Sequence, residues 1–246
     1  MLSLFKKKSP LLKELIPKDF TDIHSHILWG LDDGAKTEAD TKSLLEQMKI
    51  LGFGRSITTP HCMSQVWENT TAGIQQKEAV VQNAMKLWEY TLPVKAAAEY
   101  LLDGNFRTKL EQEKLLPLKD NIVLVELSYS NPPIQLYDII FAIQLKGYTP
   151  LLAHPERYLY YAKKETEFKQ LKHAGCLFQL NLLATTGYYG KEVLQLADVL
   201  LKNGLYDFVG SDIHNLHHCN NFQNKVAVKN KSALEEVIQK NSFFAW

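Results

Sequence analysis

Side chains able to bind a metal ion recur where apolar, β-forming runs of the chain end. The first run ends at His24 and His26, the second at His61, the third at Glu99, the fourth at Glu126 and the fifth at His154. A sixth ends at Asn181, and a seventh leads to Asp212 and His214. The loop after the first run adds Asp32 and Asp33. Five of the eight histidines belong to this set. Singly, each residue has a plain explanation as a solvated strand end, a helix cap or a turn histidine. Gathered at one rim, several carboxylates would repel one another, a cost that a cation removes. Imidazole and carboxylate donors without thiolate suit Mn, Fe or Zn in a catalytic centre better than a structural zinc site. The candidate ligands are His24, His26, Asp33, His61, Glu99, Glu126, His154, Asp212 and His214. They exceed what one ion uses and suit two or three ions with open positions. Such centres activate water and clamp the oxygens of an in-line displacement at phosphorus.

These side chains meet only if the intervening elements bring them together. Short runs rich in β-formers predict strands over 20–23, 56–59, 94–98, 122–125, 149–153, 177–180 and 208–209. Apolar periodicity predicts helices over 38–51, 71–90, 106–113, 134–146, 165–173, 192–202 and 231–240. Thr37 stands where the first of these needs a cap, and Gly52, Gly147, Gly175 and Gly204 follow helix ends. Seven β-then-α units without a linker give a parallel-strand α/β protein, as a barrel or a doubly wound sheet. In a barrel the C-terminal strand ends share one mouth, which is where the candidates fall. Residues 1–19 read as an N-terminal appendage and 20–246 as one domain carrying the site.

Arginine is scarce: Arg55, Arg107 and Arg157 are the only three. Arg157 closes the string His154-Pro155-Glu156-Arg157, beside a candidate ligand. A guanidinium reads phosphoryl oxygens bidentately; the plainer role is a surface pair with Glu156. The cysteine-phosphatase spacing, Cys then Arg six positions on, is absent, since Glu68, Leu182 and Lys225 hold those positions. No GxxxxGK[ST] loop occurs, and Gly52-Phe53-Gly54 precedes a strand, the wrong context for a dinucleotide turn. His217-His218 read as a solvated loop pair, and Phe243, Phe244 and Trp246 as packing for a C-terminal helix.

With 28 Lys+Arg against 27 Asp+Glu among 246 residues, the net charge of +1 argues against nucleic-acid binding by bulk electrostatics. The run Lys6-Lys7-Lys8 is too short to reverse that. No apolar stretch approaches the ~20 residues of a membrane span, and the first segment lacks the apolar region of a signal peptide. Cys62, Cys176 and Cys219 form no CxxC pair and read as cytosolic thiols.

Several strings together resemble the polymerase-and-histidinol-phosphatase (PHP) superfamily. They are Asp22-Ile23-His24-Ser25-His26, Leu31-Asp32-Asp33-Gly34-Ala35-Lys36-Thr37, Thr59-Pro60-His61, His154-Pro155-Glu156-Arg157-Tyr158, Gln179-Leu180-Asn181 and Gly210-Ser211-Asp212-Ile213-His214-Asn215, with Glu99 and Glu126. Within the superfamily, the chain is similar to the manganese-dependent protein-tyrosine phosphatases of bacterial capsular and exopolysaccharide operons, over about residues 20–240. The resemblance implies a single-domain distorted (β/α)7 barrel and hydrolysis of phosphotyrosine on a bacterial tyrosine kinase. It also implies a trinuclear, manganese-type centre held by the nine candidate ligands, with Arg157 on the phosphate. The expected protein is cytoplasmic, with no nucleic-acid partner, no integral membrane segment and a homo-oligomer left open. Two departures stand out. Cys62 follows the histidine of the second strand, where relatives often have a basic residue. Leu216-His217-His218-Cys219-Asn220 lacks the second arginine that some carry. A metabolite phosphatase, for instance on histidinol phosphate, and a non-catalytic metal-bound regulator are the alternatives. Trp29, Trp67, Tyr158 and Tyr188 are the aromatic residues expected to stack on a phenyl ring at the rim.

Overall fold

Strands and helices alternate from Phe20 onward in this computed structural model, which describes residues 9–246. The Lys6–Lys8 run lies outside the described residues. The strands are β1 (Phe20–Asp22), β2 (Phe53–Thr58), β3 (His61–Cys62), β4 (Val94–Ala96), β5 (Glu99–Leu101), β6 (Ile122–Glu126), β7 (Thr149–Ala153), β8 (Leu177–Asn181) and β9 (Phe208–Gly210). The helices are α1 (Leu12–Leu15), α2 (Glu38–Ile50), α3 (Thr71–Leu87), α4 (Phe106–Gln112), α5 (Leu136–Leu145), α6 (Glu165–His173), α7 (Lys191–Lys202), α8 (Leu216–Asn221) and α9 (Lys231–Lys240).

All strand pairs are parallel. They form two sheets, β1-β2-β4 and β3-β5-β6-β7-β8-β9. A break after β2 and another after β4 separate the second and third predicted strands from two short strands that were not predicted, β3 and β5, which belong to the other sheet. At the first break Pro60 has no N–H to give a ladder, and Thr59 donates instead to the Ser25 carbonyl at 2.7 Å. The second break falls at Ala97-Ala98. Beyond the end of β1, the chain meets the segment after β9. Asp212 N–H donates to His24 O at 2.7 Å, His26 N–H donates to Ile213 O at 2.8 Å, and Ser25 bridges Ile213.

Burial follows from this topology. β6 is buried at every position, as expected of a parallel strand covered on both faces. One large apolar cluster joins the helices to the sheets; a smaller one gathers Ile23, Ile57, Leu124, Leu151, Ala153 and Phe244. Each fully buried side chain of this size contributes about 1.5–3 kcal/mol. Asn241 ties β1 to β9, accepting from Val209 N–H at 3.0 Å and donating to Thr21 O at 3.0 Å. Of the C-terminal aromatics, only Phe244 is buried; Phe243 and Trp246 are exposed, contrary to expectation.

Two local features brace the loop after β1. Thr37 and Asp40 form a reciprocal cap at the start of α2. Thr41 of that helix then donates to the Ile27 carbonyl at 2.6 Å. In the described part of the appendage, Leu12 is buried and its N–H donates to Asn224 O at 2.9 Å, so residues 9–15 dock on the segment before α9. Among the described residues, no helix is long and apolar enough to cross a membrane.

Candidate metal centre

The backbone under the site is tightly constrained. A Cβ at Gly34 would lie 2.0 Å from the His26 carbonyl oxygen, and one at Gly210 would lie 2.6 Å from the His24 Cβ. Only glycine permits these approaches. His154 and Asp212, which follow the ends of β7 and β9, have φ of 36° and 52°. The left-handed region is costly for residues with a Cβ.

The structure brings all nine sequence-predicted ligands together. They fall into four overlapping groups: His26, Asp33, His61 and His214; His24, Glu99 and His154; His24, His26 and Asp212; His61, Glu99 and Glu126. Within each group the donor atoms lie within 4.8 Å of one another. Glu99 stands at the centre, with Oε2 3.2 Å from His24 Nε2 and 3.0 Å from His61 Nδ1, and Oε1 3.1 Å from His154 Nε2. His61 Nδ1 also lies 3.1 Å from Glu126 Oε1. Asp33 is the exposed member, 3.5 Å from His61 and 3.4 Å from His214.

Partners behind the histidines fix which nitrogen faces inward. His24 Nδ1–H donates to Gln179 Oε1 at 2.8 Å, and the Gln179 amide NH2 is held by the Leu180 carbonyl. His26 Nδ1–H donates to Asp32 Oδ2 at 2.7 Å. Asp32 also accepts from the N–H groups of Gly34 and His61. Nε2 of His24 and His26 is thereby free to face the carboxylates, the orientation that outer partners impose on metal-binding histidines. Asp32 was noted in the sequence beside Asp33; its role as a support emerges only from these contacts.

The donor set fits a metal cluster. His24 Nε2, His26 Nε2, His61 Nδ1, His154 Nδ1, Glu99 Oε2 and Glu126 Oε1 are buried with no hydrogen-bond partner. Buried polar atoms are seldom left this way, and five of these six point into the groups above. Burial alone would lower the histidines, but carboxylates outweigh it: Glu99 raises His24 and His61, the latter to about 10, and Asp32 raises His26. Burial would likewise raise Glu99 and Asp212, yet His24 and its neighbours hold both well below the carboxylate range. His154 is lowered, chiefly by burial. No thiol takes part, because Cys62 is buried in the large apolar cluster and burial pushes it up to about 12.

Arg157 stands at the mouth, a cavity of about 470 Å³. Its Nη1 donates to Asp212 Oδ2 at 3.1 Å, and its guanidinium lies 4.4 Å from the ring centres of both Tyr129 and Tyr189. Glu156 is not its partner. That carboxyl is fully buried, accepts from Asn181 N–H and Tyr206 O–H, and is pushed up to about 7 by burial. Among the proposed rim aromatics, Trp67 stacks on His61 at 5.0 Å and Tyr188 lines the mouth. Tyr158 is fully buried and donates to the Ala153 carbonyl, so it cannot stack on a ligand. Trp29 does not line the mouth and lies under Lys77 instead. The pair expected in a solvated loop begins α8: His217 is exposed, whereas His218 lines the mouth with Nδ1 3.0 Å from the Asp212 carbonyl. Sequence reasoning missed Tyr129 and Tyr189; their only signal was the aromatic content of the loops after β6 and β8.

Comparison with known proteins agrees with this geometry. The capsular polysaccharide synthesis CpsB/CapC family matches residues 20–241. The chain is 29% identical over 196 residues to tyrosine-protein phosphatase YwqE of Bacillus subtilis, spanning 79% of this chain and 77% of that one. It is 28% identical over 201 residues to tyrosine-protein phosphatase CpsB of Streptococcus pneumoniae, spanning 79% and 83%. From the crystal structures of YwqE and CpsB, described as metal-dependent tyrosine phosphatases, one chain superposes with a TM-score of 0.76 at 28% identity, covering 88% of this chain and 86% of that one. Histidinol phosphate phosphatase of Lactococcus lactis shares the fold alone, with a TM-score of 0.53 at 12% identity over 92% and 94% of the two chains. The chain belongs to the capsular polysaccharide synthesis CpsB/CapC family.

Proposed function

We propose that the protein is a metal-dependent protein-tyrosine phosphatase acting on a phosphotyrosine-bearing bacterial tyrosine kinase of capsular or exopolysaccharide synthesis. The observation that carries this reading is the set of orphaned buried nitrogens and oxygens around Glu99, with Arg157 beside it. The tyrosine phosphatases YwqE and CpsB support the choice of substrate. We read the two sheets as one distorted barrel of seven β/α units, a reading supported by the bridge from Ser25 to Ile213. We take residues 1–19 as an appendage to the 20–246 domain. We assign the enzyme to the cytoplasm, where three free cysteines stay reduced.

His24, His26, Asp33, His61, Glu99, Glu126, His154, Asp212 and His214 would hold two or three divalent ions, manganese before iron or zinc. When bound, such ions acidify water and neutralise charge on a phosphoryl group. The chain's own residues do the rest. Asp32 and Gln179 orient the histidines. Arg157, charged and held between two tyrosine rings, offers its remaining N–H donors to phosphoryl oxygens. Trp67, Met63 and Val66 form an apolar side of the mouth suited to a phenyl ring, which selects an aryl over an alkyl ester. Removing an arginine that donates to transition-state charge costs about 3–4 kcal/mol.

The test is the bound-metal count together with kcat/KM for phosphotyrosyl peptide and histidinol phosphate on one sample. The proposal expects several ions per chain and preference for the peptide. Preference for histidinol phosphate would make it a metabolite phosphatase. A full metal complement with no turnover of either would make it a non-catalytic regulator.

A further inference from the structure

A cavity about twice the volume of the mouth lies elsewhere on the molecule. It measures about 950 Å³ and lies between the loop 159–164, α7 and residues 227–229. Four exposed lysines line it: Lys163, Lys164, Lys191 and Lys229. Among the described residues, none of the four ammonium groups is within ion-pair distance of a carboxylate. Two carboxylates line the same cavity, Glu192 and Asp198, and the second is held in place by hydrogen bonds. Its Oδ1 accepts from the N–H of Lys229, the N–H of Asn230 and the Asn230 side chain. Four cations thus face two carboxylates, and the lining carries a net positive charge.

Two of these lysines occupy positions that helix electrostatics disfavours. Lys164 is the N-cap of α6 and Lys191 the first residue of α7, and neither helix has a side-chain cap. The positive end of a helix repels a cation and attracts an anion. Leu159, Tyr160, Leu194 and Leu196 give the cavity an apolar part of its lining.

The cavity and the mouth have no lining residue in common, but short chain segments join them. Lys191 is two residues from Tyr189, and Tyr160 is three from Arg157. α7 packs on the turn Pro155–Arg157. An extended polypeptide covers about 3.3 Å per residue, so a substrate whose phosphotyrosine sits at Arg157 needs several flanking residues to span from the mouth to the lysines.

We propose that this lysine-lined cavity binds an acidic stretch of the substrate polypeptide flanking the phosphotyrosine, so that the enzyme selects acidic phosphopeptides. The inference rests on the phosphotyrosine-phosphatase reading for what occupies the mouth. Charge complementarity picks the partner, and the apolar residues in the lining suit side-chain stems of a polypeptide.

The experiment uses the full chain and a fluorescent peptide with Asp and Glu on both sides of one tyrosine, phosphorylated or not. A counterpart carries Asn and Gln instead. Wild type should show a kcat/KM about tenfold higher for the acidic phosphopeptide, expressed in KM, as expected for several weak ion pairs. The triple variant Lys163→Glu, Lys191→Glu, Lys229→Glu should lose this preference while hydrolysing para-nitrophenyl phosphate as wild type does. A Lys→Gln triple replaces it if the charge reversal fails to fold. Fluorescence anisotropy with the unphosphorylated acidic peptide reads the cavity without any chemistry, so an inactive enzyme still tests it. Equal peptide binding by wild type and a folded triple variant overturns the proposal. So does tighter binding of an oligonucleotide of equal charge.

Discussion

Arg157 donates to one oxygen of the Asp212 carboxylate while the other oxygen faces a candidate metal ligand. Oδ2 of Asp212 accepts from Arg157 at 3.1 Å and from the Asn181 amide at 2.9 Å. Oδ1 of the same group lies 3.3 Å from His24 Nε2. The residue that faces the candidate metal cluster therefore also aims the guanidinium.

That link sets what each substitution should do. Arg157→Ala should keep its metals and lose roughly 10²–10³ in rate on phosphotyrosyl peptide. Arg157→Lys should recover only part, since an ammonium cannot copy the fork. Because every monoester presents the same phosphate, the ratio of peptide to histidinol phosphate turnover should not change. Steady-state kinetics with elemental analysis checks all three points.

Asp212→Ala and His24→Ala strike the cluster itself and should abolish both metal occupancy and turnover while leaving the fold intact. Asp32→Asn and Gln179→Ala act one layer further out. Loss of such an outer partner typically weakens metal affinity about 10–100-fold. Competition with a chelator dye measures this, and unchanged affinity in Asp32→Asn would contradict the orienting role.

Chelation should abolish phosphatase activity, lower the melting temperature and be reversed by Mn²⁺, because a ligand bound only by the native state stabilises it. Alkylating reagents should leave activity intact. Cys62, Cys176 and Cys219 are buried, and burial pushes each thiol up to about 12. Activity lost to iodoacetamide but kept in a chelator would reverse the mechanism.

Metal loading should release protons. With no cation present, Glu99 and its neighbours keep His61 protonated up to about pH 10 and raise His24 and His26 above their ordinary value. Those protons must leave before the nitrogens can bind an ion, so apparent affinity should rise with pH across the neutral range. Calorimetry in buffers of different ionisation enthalpy counts the protons; a count of zero at pH 7 would refute the assignment of these histidines.

Much of this site was legible because each ligand sits just past an apolar run, and such runs mark strands. Strand β7 and helices α6 and α9 match their predicted bounds, each having one clear period. Strands β3 and β5 were missed because each is only two or three residues long and begins at a candidate ligand, His61 or Glu99, so neither carries an apolar run of strand length. Helix α8 was missed because Leu-His-His-Cys-Asn-Asn carries no apolar period. The stacking of Tyr129 and Tyr189 on Arg157 joins residues about thirty apart, and no local pattern reports it. Tyr158 looked like a rim aromatic because sequence does not reveal which side of a turn faces inward.

The left-handed backbones of His154 and Asp212 have a consequence for how the protein can change. Each such conformation costs about 1–3 kcal/mol, which the rest of the fold must offset. Glycine, or asparagine to a lesser degree, would relax it. A laboratory selection for thermal stability alone, run without metal, should therefore accept replacements at these two positions, as at Asp19, Gln65, Glu89 and Asp120, which share the conformation. Heat-resistant descendants would keep the fold and lose the chemistry.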